Sequence, residues 1–415
     1  MATPEALTTA EMPPPRMTTG PAGWARDNLF ASYSSGVITI VSAGVVLYVA
    51  WQFIVWAFTS ADWSIIPTLG GTLIIGQYNS VTVCDSQNCF WRPQASLLLV
   101  TTFLGIGWAA AGGGLARTVA LAIALGSALM ALLPLPLSEM GVDVRLLLAA
   151  NIPAVFLGRA IGLRTPLGSL RWLIILAILI YIASILLLRG IEGVPGLQPI
   201  ASRYWGGLML NLFLAVGGIS MSLPLGILLA LGRRSRLPFI KVICVGIIEF
   251  FRGVPLITLL FMSQVLLPLA FPQGFPLEEV TRAAIVITLF SSAYMAENIR
   301  GGLQGLHPGQ AEAARALGLP VWRATIHITL PQAIRNVVPA IVGQFISLFK
   351  DTSLVYIIGM LDLVEIGNAF IGGNREFLDN SRELFIVIAL IFWIFNYGMS
   401  YVSRRVESNL GVGRR

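Results

Sequence analysis

Long apolar runs separated by short, cation-bearing segments set the pattern of this chain. Val37–Phe58, Trp172–Leu188 and Leu384–Val402 contain no charged residue, and each comes near the roughly 20 apolar residues a helix needs to cross a bilayer. The pattern predicts about ten membrane-spanning helices, at 37–59, 95–113, 116–135, 144–162, 171–189, 206–231, 239–266, 281–300, 333–358 and 383–403. The segment 144–162 is the least regular, because Asn151, Pro153 and Arg159 interrupt it. Residues 1–30 are rich in Pro and Thr and have no apolar centre. They read as a loosely ordered tail, not a cleavable signal peptide.

Composition agrees with this reading. The chain has 415 residues, of which 56% are hydrophobic and only 11% charged; a soluble protein carries about 25% charged residues. The formal charge is +7, and the only lysines are Lys241 and Lys350. Nucleic acid is not the expected partner, since the arginines sit at the ends of apolar runs and no basic stripe interleaves with aromatics.

Cations accumulate in cytoplasmic loops. Arg233, Arg234, Arg236 and Lys241 form one group; Arg300, Arg315, Arg323 and Arg335 form a second; Arg404, Arg405, Arg414 and Arg415 form a third. All three regions are expected in the cytoplasm, and the cation-poor loops 267–280 and 359–382 outside. Counting back places both termini in the cytoplasm. Losing one span would set the charges against the topology, so the alternative is eight spans. The chain is then expected to divide into a cytoplasmic tail (1–36), an accessory transmembrane bundle (37–203) with an outer loop at 60–94, and a five-span core (204–415) with a cytoplasmic loop at 301–332. The fold class expected is all-α and integral to the membrane.

Residues 308–331 read PGQAEAARALGLPVWRATIHITLP. Pro308 can open a helix, Glu312–Leu317 favours one, and Gly318 suits the left-handed residue after a helix end. Pro320 can open a second short helix that Pro331 ends. Such a helix–turn–helix can lie on the lipid surface or enter a protein cleft. Ala313, Ala314 and Ala316 are too small to anchor in lipid and favour the cleft.

This loop resembles the EAA motif of the permeases of ABC importers: Glu312-Ala313-Ala314, three residues, Gly318, nine residues, then Ile328, Leu330 and Pro331. The stretch from Glu249 through Arg252 and Gly253 to Pro255, the stretch from Ala293 to Gly302, and Lys350-Asp351-Thr352-Ser353-Leu354 are similar to polar amino acid permeases. The resemblance covers about residues 205–410. The accessory bundle is similar to that of the longer, M-type subunit of general L-amino acid importers. It implies a type I importer core and a permease of the bacterial inner membrane. It also implies that 308–331 is the coupling helix docking on an ATPase. The expected partners are a second, homologous permease in a heterodimer, two ATPase subunits and an extracytoplasmic amino acid binding protein. No cofactor is expected on this chain, with ATP and Mg held by the ATPase.

Ionisable residues inside spans are candidates by default. Glu249 and Arg252 stand three apart and can pair, as can Glu297 and Arg300, so packing and pathway roles both stand for them. An amino acid needs partners for its carboxylate and its ammonium, and Lys350, Asp351, Thr352 and Ser353 offer a cation, an anion and two hydroxyls; a hinge or a contact to the coupling loop is the competing role. Cys84 and Cys89 enclose four polar residues in a segment expected outside, where disulfides persist, so a bridge is expected, with free thiols as the alternative. No metal site is expected. His307 and His327 lack an acidic partner cluster, so no catalytic constellation is visible. Both lysines follow Ile or Phe, so no Gly-Lys-[Ser/Thr] phosphate loop is present. A permease for another small polar solute and a secondary amino acid transporter are the alternative functions; the latter often shows inverted repeats, and none is visible here.

Overall fold

A computed structural model describes residues 20–79, 89, 91–112, 114–132, 142–194, 196–270, 277–373 and 375–411. The described residues form two compact units, Met1–Asp62 and Trp63–Arg415. The first contains α1 (Pro21–Leu29) and α2 (Tyr33–Thr59). Residues 21–29 are thus helical where the sequence pattern suggested a tail; Pro21 stands at the helix start, where its missing N–H costs nothing. Ser32 caps α2 by accepting from the Ser35 N–H, and Ser35 and Thr39 donate their hydroxyls to the Leu29 carbonyl. No residue of α2 is buried, as suits a helix that is apolar all round and surrounded by lipid.

The second unit begins with α3 (Ile65–Ile75), α4 (Trp91–Ala111), α5 (Leu115–Leu132), α6 (Val142–Ala149), α7 (Asn151–Arg164) and α8 (Leu170–Arg189). It continues with α9 (Gly207–Arg233), α10 (Pro238–Gly253), α11 (Leu256–Ala270), α12 (Glu279–Gln304), α13 (Gly309–Ala316), α14 (Val321–Ala324), α15 (Leu330–Asp351), α16 (Leu363–Gly373) and α17 (Ser381–Leu410). Seven helices among the described residues are long and apolar enough to cross a membrane, or eight when α10 and α11 count as one broken span. The chain is all-helical and multi-pass, and about ten spans agree with it. The two expected spans that fall short of that test are α6–α7, interrupted at Ala150, and α12, which carries Glu297 and Arg300.

The irregular span at 144–162 has a polar cause. Asn151 is fully buried; its amide donates to the Leu147 and Leu148 carbonyls and its oxygen accepts from the Thr101 hydroxyl at 2.7 Å. The buried Asn151 amide is therefore satisfied within the bundle. Arg159 lies over the Trp108 ring, 4.3 Å from its centroid. Here α4 and α7 cross through glycine. A Cβ on Gly158 would meet the Thr102 carbonyl carbon at 2.9 Å, and one on Gly105 would meet the Arg159 nitrogen at 3.0 Å. Small residues permit such close backbone approach in lipid. A Gly158→Leu protein is expected to lose about 1–3 kcal/mol of stability, read as a lower Tm of the purified chain. Gly107→Leu on the facing helix α4, whose Cβ would meet nothing within 4 Å, should leave the Tm unchanged; equal melting of both proteins would disprove the crossing.

Two apolar helices lie where loops were expected. Helix α3 falls within 60–94 and α16 within 359–382. At 11 residues each both are too short to span, which is why hydropathy passes over them. Ile65, Leu69, Leu73 and Ile75 of α3 share one core with Leu210 and Leu214 of α9 and with Leu363 and Ile366 of α16. Arg92 ties the start of α4 to the chain after α8: it is buried and donates to the carbonyls of Gln198 at 2.9 Å and Gly196 at 3.0 Å. The expected straight span at 239–266 is instead α10 and α11, bent by 110°. Pro255 sits at the break; its missing N–H and fixed φ stop the helix.

Candidate functional site

The 308–331 loop folds around a short helix, α13, that ends at a turn. The imidazole Nδ1 of His307 accepts from the Gly309 N–H at 3.1 Å, satisfying a donor at the helix start. Glu312 lies in the first turn, where the helix dipole favours an anion. Gly318 has φ +72°, a left-handed conformation that glycine adopts without steric cost. Helix α13 packs on α14 and the 325–329 turn, with Ala314 and Ala324 buried, while Glu312, Ala313 and Ala316 stay exposed.

The second helix does not end at Pro331. It runs from α14 through a π-helical turn, Thr325–Thr329, directly into α15. Pro331 stands in the first turn of α15, and the wide turn before it relieves the clash a proline ring makes with the preceding carbonyls. Ile328 is half-buried. Leu330 packs on the core formed by Ile299, Leu303, Ala333 and neighbours. The motif's last residues thus root the loop in the bundle. Leu317, Val321, Trp322 and Ile326 stay exposed at 78%, 69%, 57% and 48%. A compact apolar patch on a charged loop marks a contact surface.

Glu297 of α12 gathers three guanidiniums: Arg233 at 2.7 Å, Arg300 at 2.7 Å and Arg252 at 3.6 Å. The Glu297–Arg300 pairing matches expectation. Glu249 differs: it pairs with Arg233 at 3.0 Å, and Arg252, expected as its partner, turns to Glu297 and the Tyr294 ring. Arg233 lies on another helix and offers a better-placed fork than a residue three positions along α10.

The 350–353 stretch divides. Lys350 is exposed and Asp351 half-buried. Ser353 donates back to the Lys350 carbonyl at 2.8 Å. Thr352 is fully buried; it donates to the Phe349 carbonyl at 2.7 Å and accepts from the Asn211 amide at 3.0 Å. Asn211, also buried, accepts from the Leu363 N–H at 3.0 Å and lies 3.4 Å from the Asp362 carboxylate. Asp362 in turn accepts from the N–H groups of Val364 and Glu365 and so caps α16. Burial pushes the Asp362 carboxyl up to about 6, against the pull of those hydrogen bonds. This knot of Asn211, Thr352 and Asp362 escaped sequence reading; the signal was an Asn in the apolar run of α9 and an Asp just before an apolar helix.

Above Thr352, five exposed residues of α15 form a strip: Asn336, Ala340, Gly343, Ser347 and Lys350. The steps of four, three, four and three residues place them on one helix face. A face against lipid would carry large apolar side chains; this one is small and polar. Cys89 is buried and disulfide-bonded; Cys84 lies outside the described residues.

A family model described as "Binding-protein-dependent transport system inner membrane component" matches residues 222–411. The inner membrane amino-acid ABC transporter permease protein YhdY of Escherichia coli (strain K12) is 47% identical over 223 residues, covering 54% of this chain and 60% of that protein. The glutamate/glutamine/aspartate/asparagine transport system permease protein BztC of Rhodobacter capsulatus is 46% identical over 214 residues, covering 52% of this chain and 49% of that one. The "Probable glutamine ABC transporter permease protein GlnP" of Bacillus subtilis (strain 168) is 36% identical over 205 residues, covering 49% of this chain and 91% of that protein. The chain belongs to the family of binding-protein-dependent transport system inner membrane components, among the amino-acid ABC transporter permeases. It spans 60% and 49% of the length of YhdY and BztC.

Proposed function

We propose that this chain is the permease subunit of an ATP-driven importer that translocates polar L-amino acids delivered by an extracytoplasmic binding protein. The observation that carries the reading is the 308–331 loop: a short helix, rooted in the bundle at Leu330, that presents Leu317, Val321, Trp322 and Ile326 to a partner. The names of YhdY and BztC support amino acids as cargo. Two ATPase subunits dock on this loop and on that of a second, homologous permease. The accessory bundle fits the longer, M-type subunit. The cation-rich ends of the spans, and both termini, face the cytoplasm of a bacterial inner membrane. Cys84 is the partner of Cys89 in the outer segment.

The polar strip of α15 faces the second permease and lines the pathway between them, with Lys350 offered to the substrate carboxylate. Lys350 sits in the last turn of α15, where a cation also complements the helix dipole. Lys350→Ala is expected to cut uptake by about tenfold or more, the cost of about 1.5–3 kcal/mol for a lost charged hydrogen bond. Co-purification of the second permease and the ATPase should be unchanged. Uptake of radiolabelled amino acids into vesicles containing the assembled complex checks it. Normal uptake by the assembled variant would remove Lys350 from the pathway, and failure of the wild-type chain to recover an ATPase would overturn the importer reading itself.

A further inference from the structure

Where α9 and α12 end, Arg233, Arg234, Arg300, Leu303 and Gln304 line a cavity of about 410 Å³. We propose that this cavity holds the phosphate of an anionic phospholipid headgroup. Three guanidiniums, of Arg233, Arg234 and Arg300, line it, and ion pairs join Arg233 and Arg300 to the carboxylates of Glu249 and Glu297 and, through Glu297, to Arg252. The carboxylates engage Arg233, Arg252 and Arg300, so the group keeps two positive charges uncompensated. Arg234 is exposed and its side chain has no hydrogen bond or ion pair among the described residues. Both α9 and α12 present their C-termini here, and helix C-termini repel anions. Any anion held at this place is therefore held by the arginines.

Three features select a lipid phosphate over other anions. Guanidinium forks match phosphate oxygens in pairs. The cavity sits at the ends of α9 and α12, and basic pockets between the ends of transmembrane helices bind lipid headgroups. A few residues after Arg234 in the chain, Leu237, Phe239 and Val242 are exposed at 60%, 76% and 69%, apolar side chains available to acyl chains. The cavity lining contains no residue of the α15 strip or of the 308–331 loop. The assignment to the cytoplasmic leaflet rests on the orientation proposed above; the site itself does not.

Native mass spectrometry of the purified full chain in non-ionic detergent, titrated with phosphatidylglycerol or with phosphatidylcholine of the same acyl chains, tests the inference. The wild-type chain should retain phosphatidylglycerol preferentially. Arg234→Gln should weaken that retention about fivefold, the contribution of one basic residue at an anionic surface. Arg236→Gln, a neighbouring exposed arginine outside the cavity, should leave it intact. Inorganic phosphate at equal concentration should not displace the lipid. Equal retention of the two lipids, an unchanged Arg234→Gln protein, an equal loss in Arg236→Gln, or displacement by inorganic phosphate would each overturn the lipid site. Retention in detergent is independent of sidedness, whereas labelling of a Ser235→Cys protein from outside intact cells would overturn the orientation alone.

Discussion

A Gly318→Trp protein is expected to insert and fold, yet to transport nothing and to leave ATP hydrolysis unstimulated. Gly318 holds φ +72°, so any L-residue there costs about 1–2 kcal/mol of backbone strain. A Cβ at this position would meet no atom within 4 Å. The chain itself does not block the first carbon of a side chain here, and the penalty for bulk falls on whatever covers the loop. Leu317 beside it and Val321 beyond it are among the most exposed apolar residues of the loop, so the indole would project from the surface proposed to enter the ATPase. Displacing one interface hot spot costs about 2 kcal/mol or more, at least about thirtyfold, and a ring wedged into the contact displaces several. Gly318→Ala separates the two effects, because it carries the backbone strain without the bulk. Its transport should fall far less. Uptake and stimulated ATP hydrolysis by the reconstituted complex decide the matter: full activity of the tryptophan protein would remove this face from the coupling surface, and equal losses in both variants would assign the effect to strain.

The same loop shows what sequence alone makes legible. Its helix start, its left-handed glycine and its second proline are local signals, each read within a few residues, and α13 and the Gly318 turn follow them. Pro331 carries the same kind of signal but two outcomes: a proline can end a helix or stand in its first turn. The π-helical turn at Thr325–Thr329 decided between them, and no composition rule announces such a turn. The apolar spans were legible because hydrocarbon thickness sets their length. That rule also hides α3 and α16, which are apolar but too short, and which pack on α9 within the same unit.

Pairings across helices were the least legible. Glu249 and Arg252 share a face of α10, and a rule for neighbouring helix positions pairs them. Arg233, 16 positions back on another helix, takes Glu249, because the crossing of α9 and α10 brings its guanidinium to 3.0 Å. Asn211, Thr352 and Asp362 stand further apart still, 141 and 151 positions from the asparagine. The resemblance marked Thr352 as one of four polar residues of equal standing. Packing separates them: Thr352 is consumed in the buried knot, and Lys350 remains on the exposed strip. A motif names the residues that matter without saying which of them faces substrate and which holds the helix that does.

That knot gives the second large expected effect, on stability against pH. Asp362 lies between the membrane-spanning segments, fully buried, with its carboxyl pushed up to about 6 from an ordinary 3.8 by burial. A carboxyl whose folded value lies above its unfolded one keeps its proton in the native chain while the unfolded chain releases it. Stability from this group is then complete below pH 4, falls as pH rises from 4 to 6, and is fully lost above 6. A shift of this size corresponds to about 3 kcal/mol. The purified protein is therefore expected to melt higher at pH 5 than at pH 7. Asp362→Asn keeps a side-chain oxygen to accept from the Glu365 N–H, so α16 stays capped, and it cannot ionise. The gain in Tm between pH 7 and pH 5 should be smaller in Asp362→Asn than in the wild-type chain, by several degrees. Asn211→Leu removes the donor that meets both Thr352 and Asp362 and leaves the buried Leu363 N–H without its acceptor, at about 1–3 kcal/mol for a buried unsatisfied group. It should lower the Tm at both pH values. Thermal melts of the three proteins at pH 5 and pH 7 check the pair of expectations: parallel pH responses of wild type and Asp362→Asn would show that Asp362 is ionised throughout, and an unshifted Asn211→Leu would show that the knot does not hold α9, α15 and α16 together.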